Sequence, residues 1–190
     1  MTTTVSGLFD SHADATSAVR QLQSLGVPRD EISIVGSNRD VSDGDAAVGA
    51  GAGAGIGAAF GGLGGLLTGL GIVAIPGVGP VVAAGWLVAT AAGAAAGAVV
   101  GGAAGGIVGA LTDSGVPERE AQVYAEGVRR GGVLVSARVN DTDVDAARAI
   151  LREANAVDPE VRRSDYERAG WTRFDPEAPP HQVHPDKTIV

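Results

Sequence analysis

The amino-acid sequence predicts an α+β fold that is interrupted in its middle by a Gly- and Ala-rich helical hairpin. Segments with strand and helix periodicity alternate over residues 1–45 and again over 112–163. Between them, residues 46–111 contain no charged residue and hold 21 of the 30 glycines. Glycine recurs there with a spacing of four on both sides of a Pro- and Gly-rich break. These three observations divide the chain into two polar half-domains and one uncharged insert.

The first half-domain predicts a strand, a helix and a second strand. Residues 4–9, TVSGLF, have strand character. Residues 11–26 predict a helix, because Ser11 is an N-cap candidate, apolar residues recur at helical spacing, and Gly26 supplies a stop. Residues 31–37, EISIVGS, predict the second strand.

The second half-domain predicts a helix, a strand, a helix and a short edge strand, over residues 114–132, 133–139, 141–156 and 157–161. Ser114 near the start and Gly131 near the end bound the first helix. Apolar residues alternate along VLVSARV, which predicts a strand with one buried face. Pro159 is acceptable in an edge strand. The order β-α-β, then α-β-α-β, describes a ferredoxin-like sandwich, with helices on one face of a four-stranded antiparallel sheet.

The two halves are expected to form one domain that still folds when residues 46–111 are replaced by a short linker, since closing such a loop costs little. The tail, residues 164–190, is expected to be mostly disordered. Within it, Trp171 and Phe174 suggest a hydrophobic clip that docks the tail onto the sheet or onto a neighbouring copy.

The insert carries glycine every four residues along two arms, and positions four apart share one helical face. The first series is Gly49, Gly53, Gly57, Gly61, Gly65 and Gly69, and the second is Gly85, Gly93, Gly97, Gly101, Gly105 and Gly109, with Ala89 filling the gap. Such a pattern lets two helix backbones approach closely in lipid. We predict helices near 47–75 and 81–110, joined by a turn at Pro76, Gly77, Gly79 and Pro80.

Each arm has roughly 30 residues, more than the ~20 that span the hydrocarbon core of a bilayer. The sequence therefore predicts a transmembrane hairpin that contacts membrane lipid, forms homo-oligomers and keeps both termini in the cytoplasm. Trp86 is interpreted either as an interfacial anchor or as a packing residue. Because Ala and Gly contribute little to insertion, two alternatives stay open: a helical layer buried between copies of a soluble cytoplasmic assembly, and a silk-like or disordered state.

Composition excludes several functions. A net charge of −8 and a single lysine, Lys187, argue against nucleic-acid binding. The chain has no cysteine, which excludes disulfides and thiol catalysis. The insert matches neither the dinucleotide pattern G-x-G-x-x-G nor the phosphate-binding loop, which needs a lysine. The N-terminal residues show no signal-peptide pattern.

Few side chains suggest chemistry. His181 and His184 form an H-x-x-H pair, but they lie in a Pro-rich tail where a solvated segment is favoured over a metal site. His12 stands beside Asp10 and Asp14 at a helix start, where acidic residues are expected for structural reasons. No catalytic pair, carboxylate dyad or metal cluster stands out, so neither an enzyme nor a cofactor is expected.

Two arginines at a predicted helix C-terminus, Arg129 and Arg130, have two interpretations. Cations are favoured at that end of a helix by its dipole. The same side chains could contact anionic headgroups or a protein partner, although the structural interpretation is favoured.

Three segments together carry a resemblance to a known family. They are GLFDSHADATSAVRQLQSLGVPRDEISIV before the insert, GVPEREAQVYAEGVRRGGVLVSARV after it, and GWTRFDPEAPP near the end. With the glycine-zipper insert between them, they resemble the heat-induced general-stress domain proteins of bacteria. The resemblance covers about residues 4–178 and is most specific over Tyr124–Gly132, Y-x-E-G-V-R-R-G-G.

The resemblance implies a stress-linked role in a bacterium and supplies no catalytic residues. We therefore expect a non-enzymatic stress-response protein of the bacterial cytoplasmic membrane, which self-associates through its glycine-zipper helices and carries a small interaction or sensing domain. The alternative is an oligomeric channel or permease component. It is weakened by the absence of ionisable groups from the insert, since transport pathways usually contain them.

Overall fold

The computed structural model describes residues 1–37, 71–75, 79–87, 105–176 and 178, which form a mixed α/β structure. The strands are β1 (Thr2–Phe9), β2 (Ile32–Ser37), β3 (Gly71–Ile75), β4 (Gly79–Ala84) and β5 (Val133–Asn140). The helices are α1 (His12–Ser24), α2 (Ala110–Asp113), α3 (Glu118–Arg129), α4 (Val144–Glu153) and α5 (Pro159–Arg168). Short 3-10 turns lie at Arg29–Glu31 and Asp141–Asp143, and a π-helical turn at Gly105–Gly109 leads into α2.

The strands form one antiparallel sheet in the order β1-β5-β2-β4-β3. β5 comes last in the sequence and lies between β1 and β2. Its residue Ser136 stands opposite Ser6 on one side and opposite Ser33 on the other. β4 pairs with the other side of β2, and β3 pairs with β4. The two half-domains therefore close on each other through β5.

Helices cover both faces of this sheet. One core contains α1, α4 and the odd-numbered residues of β5, such as Val133 and Val135. The other contains α3, the residues around α2 and Leu134 of β5. The alternation of β5 predicted one buried face. Leu134 and Ser136 on the other face are also fully buried, so β5 is covered on both faces. The ferredoxin-like sandwich, with all helices on one face, is not confirmed.

The predicted fourth strand, residues 157–161, is corrected to the start of a helix. Val157 makes one isolated bridge to Leu8, and α5 begins two residues later. The Asp158 carboxylate accepts the N–H groups of Glu160 and Val161 at 2.9 and 3.1 Å. Together with Pro159 in the first turn, this cap starts a helix and ends the extended segment.

The start of the preceding helix differs as well. Ser114 was predicted near the N-cap of a helix over 114–132, but it ends α2 and its hydroxyl donates to the Ala110 carbonyl at 2.7 Å. α3 begins after Pro117, at Glu118. A stop at Gly115 therefore separates two helices where the sequence predicted one.

The predicted helical hairpin is corrected where the structure describes it. Residues 71–75 and 79–84 are strands, and Gly79 and Pro80 open β4 and do not connect two helices. Both segments contain β-branched residues, three of five in β3 and two of six in β4. β4 pairs with the edge of β2 that β5 leaves free. The remaining parts of the arms, 47–70 and 88–104, lie outside the described residues. Within the described ranges, none of the helices has the length and apolar character needed to cross a bilayer.

Candidate functional site

Most residues of the predicted glycine series lie outside the part of the chain that the structure describes, and their role stays a prediction. They are Gly49, Gly53, Gly57, Gly61, Gly65, Gly69, Ala89, Gly93, Gly97 and Gly101, and the turn residues Pro76 and Gly77 belong with them. Gly105 and Gly109 bound the π-helical turn, which is interrupted at Gly106 by non-helical backbone angles.

Gly85 belongs to the sheet and not to a helical series. Its φ of +99° is in the left-handed region. A β-carbon there would lie 2.3 Å from the Ile32 carbonyl oxygen and 2.6 Å from the Ser33 Cα. Only glycine meets both conditions without strain. Gly85 therefore lets the chain leave β4 in close contact with β2.

The residues that follow Gly85 are buried on the α3 side of the sheet. Leu87 is fully buried, and Trp86 lies over Arg138, whose guanidinium carbon is 3.9 Å from the ring centroid. This is a cation–π distance. Arg138 in turn approaches the Glu31 carboxylate at 3.7 Å. Of the two interpretations of Trp86, the structure gives the packing one.

The second end of the insert is buried in the same core. Ile107, Ala110 and Leu111 have no more than 1% of their surface exposed and share a cluster with Leu87 and Trp86. We call residues 85–87 and 107–111 the insert anchor. The anchor makes a segment in the middle of the insert and its C-terminal end part of the domain interior.

A buried carboxylate organises the end of α3. Glu126 is fully buried and accepts hydrogen bonds from Arg129 at 2.8 and 2.6 Å and from Arg130 at 2.6 Å. Both arginines predicted as interaction candidates thus contact this carboxylate. The sequence analysis missed Glu126, although its spacing of three and four from the arginines favours ion pairs on a helix.

Aromatic and cationic side chains join α3 to α5. The Arg130 guanidinium lies over the ring of Tyr166, 4.2 Å from its centroid, and Arg162 approaches the same ring at 5.9 Å. Arg162 also binds the Asp10 carboxylate at 2.6 Å. These contacts bring together the end of β1, the end of α3 and α5.

The two aromatic residues of the tail lie against this helix pair. Trp171 packs edge-on to Tyr166, with ring centroids 5.8 Å apart, and the backbone N–H of Trp171 donates to the Tyr166 carbonyl at 2.9 Å. Gly170 permits this turn with a φ of +88°. Phe174 packs beside them, and Val123 of α3 closes the cluster. The clip therefore docks on the helical layer and not on the sheet.

Four residues of the segment Tyr124–Gly132 have specific structural roles. The Tyr124 hydroxyl donates to the Ser6 carbonyl at 3.4 Å, and Gly127 faces Leu8. Gly131 and Gly132 end α3, because their N–H groups bond the carbonyls of Val128 and Gly127 at 3.0 and 2.9 Å. The motif thus fixes α3 on β1 at close range.

Comparisons were made with models of protein families, with curated proteins and with solved structures. None of them matches the chain. The resemblance to general-stress proteins therefore stays a prediction, and the geometry has to carry the functional argument.

The other predicted candidates are held in local contacts. Asp10 pairs with Arg162, and Asp14 accepts a hydrogen bond from Asn155 at 3.3 Å. The ring of His12 lies beside Gly36. His181 and His184 fall outside the described residues. Among the residues that the structure describes, no cluster of acidic or histidine side chains could hold a metal ion.

Proposed function

We propose that the chain is a non-enzymatic protein that associates with copies of itself through its uncharged insert. The α/β domain anchors this insert. The observation that carries this proposal is the insert anchor. Trp86 and Leu87 from the middle of the insert and Leu111 at its C-terminal end lie in the same core as α3, so parts of the insert help to form the domain. A plain tether would not be buried there. Domain and insert are therefore expected to act as one unit.

The positions of the insert ends support the same proposal. Residues 38–70 leave the sheet after β2 and return at β3, with β4 between them. Two strand spacings of about 4.8 Å separate β2 from β3. Gly71 stands opposite Ala83, which stands opposite Val35, so the exit after Ser37 and the return at Gly71 are close together. Both attachment points of this segment, whose residues 46–70 carry no charge, therefore lie close to each other on the domain.

The composition of this segment requires a partner. Each glycine costs about 1 kcal/mol relative to alanine in a helix exposed to water. Contacts with lipid or with another copy are the available compensation. We propose membrane lipid of a bacterial cytoplasmic membrane as the first environment, because the insert is long and uncharged. A stress-linked role is proposed from the resemblance over Tyr124–Gly132.

A soluble assembly is the second candidate, and one observation favours it. β3 and β4 belong to the domain sheet, which shortens the second arm to residues 88–104. This length is at the lower limit for a helix that spans a bilayer, about 17 residues.

The test compares the full chain with a variant in which short Gly-Ser linkers replace residues 46–70 and 88–104. This variant keeps β3, β4 and the insert anchor. We expect the full chain to resist carbonate extraction from membranes and to form a large oligomer in detergent. The variant is expected to be soluble and folded, and no larger than a dimer.

A soluble, monomeric full chain would contradict the proposal, as would a variant with the same mass as the full chain. A large soluble oligomer would select the second candidate. As a control, replacing all of 46–111 is expected to destabilise the domain, because it removes the fully buried Leu87 and Leu111. The sequence alone led to the opposite expectation, and this control decides between the two.

A further inference from the structure

The two edges of the sheet differ in their backbone contacts. At the β1 edge, the Leu8 carbonyl accepts the N–H of Val157 at 2.8 Å, and the Ser6 carbonyl accepts the Tyr124 hydroxyl at 3.4 Å. Neighbouring elements thus use the outward carbonyl groups of Ser6 and Leu8. This half of the β1 edge is closed to another strand.

The opposite edge is β3, the last strand in the sheet order. No described strand pairs with its outer side. Its sequence, GIVAI, contains no charged residue and no proline. Natural sheets commonly protect an edge with lysine, proline or a bulge. β3 has none of these features in its sequence or its register with β4.

We propose that β3 is a docking edge for β3 of a second copy, which adds to it in antiparallel orientation. The inference rests on the proposed function, since it names the first contact through which the insert associates. The result is one sheet that continues across two copies. An antiparallel strand pair has a two-fold axis normal to the sheet, so the backbone pattern of a strand is complementary to itself.

Charge favours a second copy at this edge. The chain carries a net charge of −8, so two copies repel over most of their surface. The hairpin of β3 and β4, residues 71–84, carries no charge. Two copies can therefore approach through this hairpin with the least repulsion.

Full overlap of the two β3 strands places the two-fold axis at their central residue. In a symmetric pair of strands of five residues, Val73 lies opposite Val73 of the partner subunit. Opposed Cα atoms in antiparallel strands are about 4.5 or 5.5 Å apart. Both separations suit a disulfide, which needs about 4.4–6.8 Å. Because the chain has no cysteine, a single introduced thiol reports on this contact alone.

The first experiment compares Val73→Cys with Val161→Cys in the full chain under mild oxidation. Val161 is 60% exposed on α5 and serves as the control. We expect a disulfide-linked dimer for Val73→Cys in dilute protein and only slow, concentration-dependent linkage for the control. Equal rates for the two variants would overturn the proposal, including the case in which another segment of the same chain covers β3.

The second experiment places a charge on the edge in the variant that lacks 46–70 and 88–104. Val73→Lys is expected to convert its dimer to a monomer, while Val161→Lys leaves the dimer unchanged. Circular dichroism confirms that both remain folded, and a misfolded Val73→Lys leaves the disulfide result to decide. A dimer that persists with Val73→Lys contradicts the edge contact but not the proposed function. If the full chain forms a large oligomer but Val73→Cys does not cross-link, the edge contact is likewise contradicted and the proposed function is not. If the full chain is no larger than the dimer of the variant that lacks 46–70 and 88–104, the proposed function alone is contradicted.

Discussion

Gly127 of α3 lies directly against Leu8 of β1, so close that a β-carbon on Gly127 would be 2.3 Å from Cδ2 and 2.8 Å from Cδ1 of Leu8. Leu8 is 1% exposed, so an added β-carbon on Gly127 would have to displace a buried side chain. This contact sets the distance between helix and strand, and it brings the Tyr124 hydroxyl to the Ser6 carbonyl. The glycine is therefore a packing residue of the domain.

Gly127→Ala is expected to lower the free energy of unfolding by about 1–3 kcal/mol through overpacking, although alanine is the better helix former by about 1 kcal/mol. Urea unfolding measures the difference. Leu8→Ala is destabilising by itself, because it leaves a cavity. The double variant should lose less free energy of unfolding than the two single variants lose together, since the new methyl group fills part of that cavity. Full additivity would contradict the contact.

Glu126→Gln is expected to destabilise the domain by about 1–3 kcal/mol, because it weakens charge-assisted hydrogen bonds to Arg129 and Arg130 in a buried place. Glu118→Gln on the exposed first turn of the same helix is the control, with a change within about 0.5 kcal/mol. Thermal unfolding of both variants is the measurement. Equal stability of the two variants would show that the buried carboxylate is dispensable.

Alkaline pH is expected to destabilise the protein through its tyrosines. Burial, assisted by the Glu120 carboxylate, raises the pKa of Tyr124, and burial raises the pKa of Tyr166 against the effect of Arg162. The folded state therefore holds these protons more tightly than the unfolded chain, whose tyrosine pKa is about 10. This contribution to stability is complete below pH ~10 and is lost as the pH rises above it.

Urea unfolding at increasing alkaline pH tests this dependence, with Tyr124→Phe as the comparison. The variant is expected to lose stability less steeply, because it removes one of the two phenols. Spectrophotometric titration should show phenolate appearing together with unfolding. Free titration of both tyrosines near their ordinary pKa in a folded protein would refute the prediction.

Trp171→Ala is expected to cost about 3–5 kcal/mol, as for other buried tryptophans. The indole fills the space beside Tyr166 and Val123. Hydrogen exchange at α5 should increase more than exchange at β5. The neighbouring Thr172, which is exposed, provides the control variant Thr172→Ala. Protection of α5 that is unchanged in Trp171→Ala would mean that the clip does not hold the helix.

The glycine series in the insert is tested by pairs of leucine variants. Gly61→Leu and Gly97→Leu lie on the series, while Gly62→Leu and Gly102→Leu lie beside it. The gain in helix propensity is the same in every variant. Only substitutions on the series are expected to reduce the oligomer mass in detergent, because they fill a contact surface. Equal effects at all four positions would make the spacing an accident of composition.

The sequence predicted the elements whose local signals agree with their tertiary environment. α1 starts after Ser11, whose hydroxyl accepts the Ala13 N–H at 3.1 Å, and β5 begins at Val133 as its pattern indicates. The burial of β5 on both faces could not be derived from alternation alone. Strands covered on both faces tend to carry nearly continuous apolar residues, and VLVSARV is close to that pattern.

The helical prediction was wrong for residues 71–75 and 81–84, where the β-branched residues outweigh the glycine spacing. GIVAI and PVV flank a Pro-Gly turn, which is itself a hairpin signal. The competing information was tertiary: β2 has an edge that β4 completes. The contact of Trp86 with Arg138 of β5 is tertiary in the same way, so local patterns alone could not place it, whereas the spacing of Glu126 from Arg129 and Arg130 is a local signal.

The central position of β5 has a consequence for the synthesis of the protein. β1 and β2 both pair with β5, which the ribosome makes only after the whole insert. Until residue 140 has left the exit tunnel, the first half-domain lacks its middle strand. The uncharged insert leaves the tunnel before that point. A targeting factor or chaperone that meets the nascent chain therefore meets the insert before any folded domain exists. Folding of the complete sheet therefore follows synthesis of the whole insert.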